Sequence, residues 1–418
     1  MATNKTLTYR YVVFGFVTLA FFFVFFHRTS TAVMAPELAA EFAIDPVAIG
    51  LLGSMYFYAY AAAQIPAGIL ADNWGIRKTM STFLLFAGAA TLLFAVASNF
   101  NLVLISRFMV GLGVAFIYVP AMRVLTDWFR RNEFATYNGI LVAVGNLGAL
   151  AAAAPLVFLM ASLGWRNAMA AIGIVTLVIA VLIYIFVRNK PADIGGASMA
   201  EIEGIPPVPT TTIGIGEALK IIIRNYNFWT LVALFLVWLG TIFSFQGLWS
   251  GPYLMNVYQL TEVETGSIIM LIAIGALIGC PVAGIVADKL VKSKKKMVLI
   301  AVCCYTLIWI PLVFMTGSMS LTFIRILMFL FGFFAYWNIV VWANLKVNFD
   351  SRIMGTASGF LNLFGFLGAA VYQQLMGYII SKAPVTNNII ATSGFKSAFL
   401  FCLISLVIVI TFFTTQKE

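Results

Sequence analysis

Residues Tyr58 to Lys78 read YAYAAAQIPAGILADNWGIRK, an apolar run that stops abruptly at a charged turn. The run extends back to about residue 46, so residues 46–71 are long enough to cross a hydrocarbon core of about 30 Å as a helix. At its end, Gly68 permits close helix approach, and Asp72 can cap the next element or pair with a cation. Gly75 permits a tight reversal, and Arg77 and Lys78 hold the turn at an anionic surface. The weaker copy GIVADKLVKSKKK begins at Gly284 and sets Asp288 in the place of Asp72. A generic charged turn would have no reason to recur there.

The same reading applies outward from this turn. Of the 418 residues, 62% are hydrophobic and only 10% charged, with a mean hydropathy of +1.01, so lipid is the main solvent. Spans are expected near 10–35, 46–71, 79–97, 101–122, 136–162, 166–188, 227–252, 265–287, 297–317, 320–345, 353–381 and 393–414. These runs are too long and too uniformly apolar for the alternating strands of about ten residues that build a membrane β-barrel. The fold class is therefore all-α, with twelve transmembrane helices. The segment 189–226, with Pro191, Pro206, Pro207 and Pro209, is expected to link a six-helix bundle at 1–188 to another at 227–418, ending in a short interfacial helix over Glu217 to Trp229.

The net charge of +10 sits in the loops. With a cytoplasmic N-terminus, 19 Lys and Arg fall on that side and only Arg166, Lys382 and Lys396 on the other. This is the positive-inside pattern; it places both termini in the cytoplasm and makes lipid, not nucleic acid, the basic residues' partner. Cys280, Cys303, Cys304 and Cys402 fall inside spans and read as small packing residues. No phosphate-binding loop and no metal-ligating cluster is present, and one histidine cannot build several catalytic dyads, so neither an enzyme, nor a cofactor, nor a metal is expected.

A shift of about 218 residues superposes the halves. Gly68 and Asp72 fall on Gly284 and Asp288, Arg107 on Arg325, and the series Gly139, Gly145, Gly148 on Gly359, Gly365, Gly368. Ordered matches at nearly constant offset indicate a duplication, as in many transporter folds.

PAGILADNWGIRK resembles the signature loop of the major facilitator superfamily, and the resemblance covers the whole chain. RFMVGLG from Arg107, DWFRRNEFA from Asp127, GWRNA from Gly164 and GLWSGPYL from Gly247 resemble the sugar-phosphate permease and organic-anion symporter branch. The resemblance implies two pseudo-symmetric bundles, alternating access, and a latch role for the loop of Gly68, Asp72, Gly75, Arg77 and Lys78 with its copy at Asp288. Asp127 and Arg130, with Arg123 and Glu133, read as salt-bridged gate residues that the sequence alone cannot pair.

The most informative single feature is HRTST, His27 to Thr31, within the first span. A charged Arg at membrane depth costs about 2.5–3.5 kcal/mol on the insertion scale, so it faces a wet cavity or a partner. Arg28 is the leading substrate contact: its planar fork suits a carboxylate or phosphate, and the resembled branch binds anions with an Arg at this place. The alternative is that it snorkels to headgroups, since Pro36 follows two turns later. His27, about 100° away around the helix, reads equally as a proton-coupling group or as a neutral packed residue.

All fifteen Asp and Glu fall in loops or at helix ends. Symporters of the resembled branch often carry an acid just before the first-helix Arg and a Glu two turns after the fourth-helix Arg; His27 and Val114 stand there instead. The cavity's fixed charge is thus positive, and an anionic substrate fits it. The seventh span lacks the second Arg usual in organophosphate antiporters, which favours singly charged carboxylates over phosphate esters. Tyr60, Gln64, Tyr118, Gln246, Trp249, Asn338 and Asn362 are further substrate-binding candidates, each otherwise an interhelical hydrogen-bonding or interfacial residue. Arg107 is a coupling candidate ranked behind Arg28 because it starts its helix within reach of the interface.

The function expected is a secondary active transporter moving a small organic anion across the inner membrane of a bacterium, as a monomer, by proton symport or exchange. The competing readings are an exporter or carrier of zwitterions such as amino acids or short peptides, and a transporter-like ligand sensor.

Overall fold

The computed structural model describes residues 2–130, 132–204, 215–289, 293–349, 353–386 and 389–417, without the side chains of Ile65, Asp72, Ala135, Ile215, Asp288 and Lys289. The roles expected of the Asp72 and Asp288 side chains therefore lie outside the described residues. Helices open where the sequence supplies caps: Asp45 accepts from the Ala48 N–H, Asn99 from Leu102, Asn225 from Phe228 and Ser320 from Phe323.

The first span is α1 (Ala2–Thr29) continued by α2 (Thr31–Phe42), longer at both ends than the apolar run. Its start is tied down by Thr6 Oγ1 donating to Ala197 O at 2.8 Å and Lys5 Nζ donating to Ile194 O. Next come α3 (Pro46–Asn73), α4 (Gly75–Ala95), and a fourth span made of α5 (Phe100–Ala115) and α6 (Tyr118–Trp128). Helix α7 (Phe134–Ala151) and the first ten residues of α8 (Ala154–Phe186) form the fifth span. Gly164, at φ 76° and ψ 155°, breaks α8 between the expected fifth and sixth spans. Only glycine takes this backbone without strain.

Between the halves lie a 3-10 turn (Pro191–Ile194), α9 (Met199–Glu203) and the amphipathic α10 (Ile215–Arg224), which stops five residues before the expected end at Trp229. The seventh span is α11 (Tyr226–Ser244), a π turn (Phe245–Trp249) and α12 (Ser250–Tyr258). Helices α13 (Glu262–Lys289) and α14 (Lys294–Phe314) follow. The tenth span is α15 (Leu321–Ala335), a 3-10 turn (Tyr336–Ile339) and α16 (Val340–Asn348), and α17 (Met354–Ile380) and α18 (Thr392–Thr414) complete the twelve. A two-residue antiparallel pair, Val385 with Ile390 and Thr386 with Ile389, sits in the last loop. Cys402 is buried, but Cys303 is exposed on α14, so it is not a core residue as its span suggested.

The glycine series shows the duplication in three dimensions. A Cβ on Gly148 would overlap the Phe22 carbonyl of the first span, and a Cβ on Gly368 the Leu236 carbonyl of the seventh. Gly145 and Gly365 pack on side chains of the same two helices, Phe21 and Phe25 in one half and Phe235 and Leu239 in the other. Gly139 and Gly359, by contrast, have nothing within 4 Å of a Cβ position. Gly68 and Gly284 are equally open, so Gly68 makes no close helix approach here, contrary to the role its sequence context suggested.

These open glycines lie toward the end of the bundle that carries both termini; the far end is closed. There Ser54 Oγ reaches Ala370 O at 2.6 Å and Tyr58 OH donates to Gln374 Oε1 at 3.0 Å. Gly50 and Gly377 bring the second and eleventh spans into backbone contact. Pro36 has no N–H to offer the Ala32 carbonyl, and Gly251 of the seventh span packs against that oxygen with no room for a Cβ. The halves thus meet at one end and part at the other.

Gly148→Ala and Gly368→Ala should each lower the melting temperature of the purified protein, by overpacking worth about 1–3 kcal/mol. Gly139→Ala and Gly359→Ala should leave it unchanged or slightly raised; equal losses at all four positions in a thermal-unfolding series would contradict this packing.

Candidate functional site

Arg28 is 4% exposed and faces the interior of the bundle, which removes the snorkelling alternative. Its guanidinium lies 4.7 Å from the centre of the Phe25 ring, 5.2 Å from Tyr60, 5.0 Å from Phe243 and 5.2 Å from Phe366. Phe25 and Tyr60 belong to the first half and Phe243 and Phe366 to the second, so the cation holds the two together. Phe57 stacks on Phe243 at 5.4 Å and Tyr60 meets Phe366 at 4.3 Å, closing the cage. Each such contact is worth about 0.5–2 kcal/mol, which only partly replaces the hydration the guanidinium has lost. Its Nε has no hydrogen-bond partner.

No carboxylate answers this charge. Among the described residues the buried charged side chains are Arg10, Arg28 and Arg107, with His27 alongside, and none is Asp or Glu. Arg10 is neutralised by Glu133 at 2.8 Å. That pairing joins the first span to the loop after the fourth, and the partner is Arg10 where the loop's own Arg130 was the nearer candidate. Burial works against the charge on Glu133, but the Arg130 N–H and the Arg10 guanidinium hold its carboxyl below the ordinary range.

The hydroxyls of Tyr56, Tyr60 and Tyr336 lie within electrostatic reach of Arg28. Tyr336, on the 3-10 turn of the tenth span, donates to Gln246 Oε1 at 3.3 Å, on the π turn of the seventh. Turns of this kind interrupt the regular ladder and recur at binding sites. Here the first, fourth, seventh and tenth spans all change helix type or direction near their middles, at Ser30, Phe116 to Ile117, Phe245–Trp249 and Tyr336–Ile339.

Gln64 is buried, its amide donating to the Tyr60 carbonyl at 3.2 Å, and half-buried Tyr118 stacks on Phe21 at 5.6 Å. Asn338 and Asn362 are half-buried. Trp249 belongs to the closed far end: fully buried, it donates from Nε1 to Gln373 O at 3.1 Å, and Gln373 in turn donates to Phe243 O at 2.8 Å. Phe25, Phe243 and Phe366 escaped the sequence reading, because 38 phenylalanines give no means of singling out three.

His27 is fully buried between Phe23 and Phe26, and neither ring nitrogen has a hydrogen-bond partner. It lies beside Arg107. Arg107 itself is 4% exposed, with its guanidinium 4.9 Å from the centre of the Tyr56 ring, so it does not reach the interface as its place near a helix start suggested. Its counterpart Arg325 is exposed.

At the termini end, Gly75 takes φ +78° to reverse the chain, and the Arg77 N–H donates to Asn189 Oδ1 at 2.9 Å. Arg77 folds back on the sixth span, Nε donating to Tyr184 O with the guanidinium over the Tyr184 ring, while Lys78 is exposed. Arg123 lies 3.6 Å from Asp127. Asn73, Trp74, Arg123, Asp127 and Lys190 border a recess of about 230 Å³, well away from Arg28.

Comparison with known proteins agrees with this architecture. The model of the Major Facilitator Superfamily matches residues 17–372. The probable sulfoacetate transporter of Cupriavidus necator is 25% identical over 89% of this chain and 88% of its own length. The probable L-galactonate transporter of Escherichia coli is 23% identical, over 90% of this chain and 82% of its own. In fold, the chain resembles a bacterial homolog of the human lysosomal transporter Spinster in its inward-facing, unoccupied conformation, with a TM-score of 0.76, 20% identity and coverage of 97% and 96%. With the family model spanning most of its length, the chain belongs to the Major Facilitator Superfamily, alongside relatives of the organic-anion and sugar-phosphate branch.

Proposed function

We propose that this protein is a secondary transporter of a small organic anion, with Arg28 as the clamp for the anion's acidic group. One observation carries the reading: a guanidinium buried at the junction of the halves, held by four aromatic rings and by no carboxylate. Hydrogen bonds to a charged group are worth about 1.5–3 kcal/mol each, and a planar acid can make two of them with Arg. That matches the strength of the ring contacts, so an anion can open the cage at little net cost. Sulfoacetate, L-galactonate and galactarate, named for the relatives, are all anions of this kind.

The reading prefers a carboxylate to a phosphate ester, since the seventh span brings no second cation to Arg28. A zwitterion would need a buried carboxylate for its amine, and none is found among the described residues. Tyr60 and Gln246 border the clamp; Gln64, Tyr118, Asn338 and Asn362 are the outer candidates. Trp249 serves the far-end closure.

The moving units are residues 1–188 and 227–418, joined by 189–226. The excess of Lys and Arg on the termini side sets that side in the cytoplasm of a bacterial cell, which makes this conformation open inward. Gly68, Gly139, Gly284 and Gly359 are then the faces that close on each other in the opposite state. His27 is the candidate for proton coupling, with Arg107 beside it.

Arg28→Ala should abolish anion binding in a thermal-shift assay on purified protein, with unliganded unfolding close to the wild type; Arg28→Lys should bind weakly. Undiminished binding by Arg28→Ala would remove the clamp. His27→Gln should transport in proteoliposomes without acceleration by an inward proton gradient, and an unchanged response to that gradient would discard the coupling role.

A further inference from the structure

Arg107 is the second buried cation that the described residues leave without a counter-charge. Its Nε has no hydrogen-bond partner, its neighbours are the Tyr56 ring and the unpartnered His27, and no carboxylate pairs with it. The position two turns further along the same helix holds Val114, itself fully buried, so the helix supplies no anion. If Arg107 served only to hold the helix, its duplicate Arg325 would be expected inside as well; Arg325 is exposed.

Arg107 and Arg28 border the same side chain. Arg107 covers the Tyr56 ring, Arg28 approaches the Tyr56 hydroxyl, and Tyr56 stacks on Tyr60 with ring centres 5.9 Å apart, Tyr60 lying in turn under Arg28. The cations therefore flank one tyrosine pair. Two like charges so placed repel each other through a medium of low dielectric constant. One anionic charge between them leaves half of that field unanswered; two remove it.

We infer that the transported substrate is a small dianion, with one acidic group on Arg28 and the second on Arg107, the two separated by a short carbon chain that passes Tyr56. This deepens the proposed function and rests on Arg28 being the anion clamp. It sets the charge of the substrate at two where the sequence, with no second Arg in the seventh span, favours one. Dicarboxylates and sulfocarboxylates share this chemistry, and a sugar diacid extends it.

The test uses the purified full-length protein and matched pairs of probes at constant ionic strength near about pH 7.5, where both acid groups are ionised. The probes are malonate, succinate, glutarate and sulfoacetate, each against a monoester that keeps a single negative charge. The wild type should bind at least one dianion tenfold or more tightly than its monoester. Arg107→Gln should bring that dianion down to the level of the ester and leave ester binding unchanged, while Arg107→Lys, which keeps the charge, should retain part of the preference. Equal binding of dianion and ester by the wild type, no binding of any dianion, or equal weakening of both by Arg107→Gln overturns the inference. Loss of both ligands in Arg28→Gln is the expected control. If Arg28→Gln instead binds both as the wild type does, the clamp itself fails, a result separable from an Arg107 that merely shows no charge preference.

Discussion

A guanidinium taken out of water and given aromatic faces in place of a carboxylate is an unfinished interaction. The rings of Phe25, Tyr60, Phe243 and Phe366 supply attraction and the Tyr56 and Tyr60 hydroxyls accept from the guanidinium, but no anion meets it and Arg28 Nε remains unpaired. Because two rings come from each half, the cation also works as a tie between halves. Anything that satisfies it better than the rings changes how firmly the halves hold each other. On the proposed function, substrate recognition and conformational change would use the same side chain, because a ligand shifts a two-state equilibrium only by its differential affinity for the two states.

The scaffold lets that tie matter. Gly148 and Gly368 lock the fifth span to the first and the eleventh to the seventh through backbone contact, so each half is tied together within itself. Between halves, the contacts at the far end rest on small residues and single hydrogen bonds: Gly50, Gly251 and Gly377 against backbone, Ser54 and Tyr58 across the second and eleventh spans. At the opposite end Gly68, Gly139, Gly284 and Gly359 face open space.

Much of this was legible in the sequence because it depends on length, composition and repetition. Twelve runs of membrane length, one polar linker and one series of glycines repeated with identical spacing are one-dimensional facts, and the break at Gly164 falls in the gap expected between spans 136–162 and 166–188. Arg28 was legible for the same reason, a charge in an apolar run. Arg107 was misread because a residue two turns inside a helix end can turn outward or inward. Packing within its own bundle decides: Arg107 turns inward onto the Tyr56 ring, beside His27. The phenylalanine cage was invisible for a different reason: its members are distinguished by position in space and by nothing in their spacing. Trp249 shows a third limit, since an aromatic in the seventh span can face a ligand or brace the closed end, and its hydrogen bond to Gln373 O places it in the brace of this conformation.

The central claim is that an acid group replaces aromatic rings at Arg28, and a structure of the protein with a bound organic anion reads this directly. The account predicts acid oxygens within about 3 Å of the guanidinium, with Phe243 and Phe366 withdrawn from it. An anion bound elsewhere in the bundle, with the four rings still closed around Arg28, would contradict it.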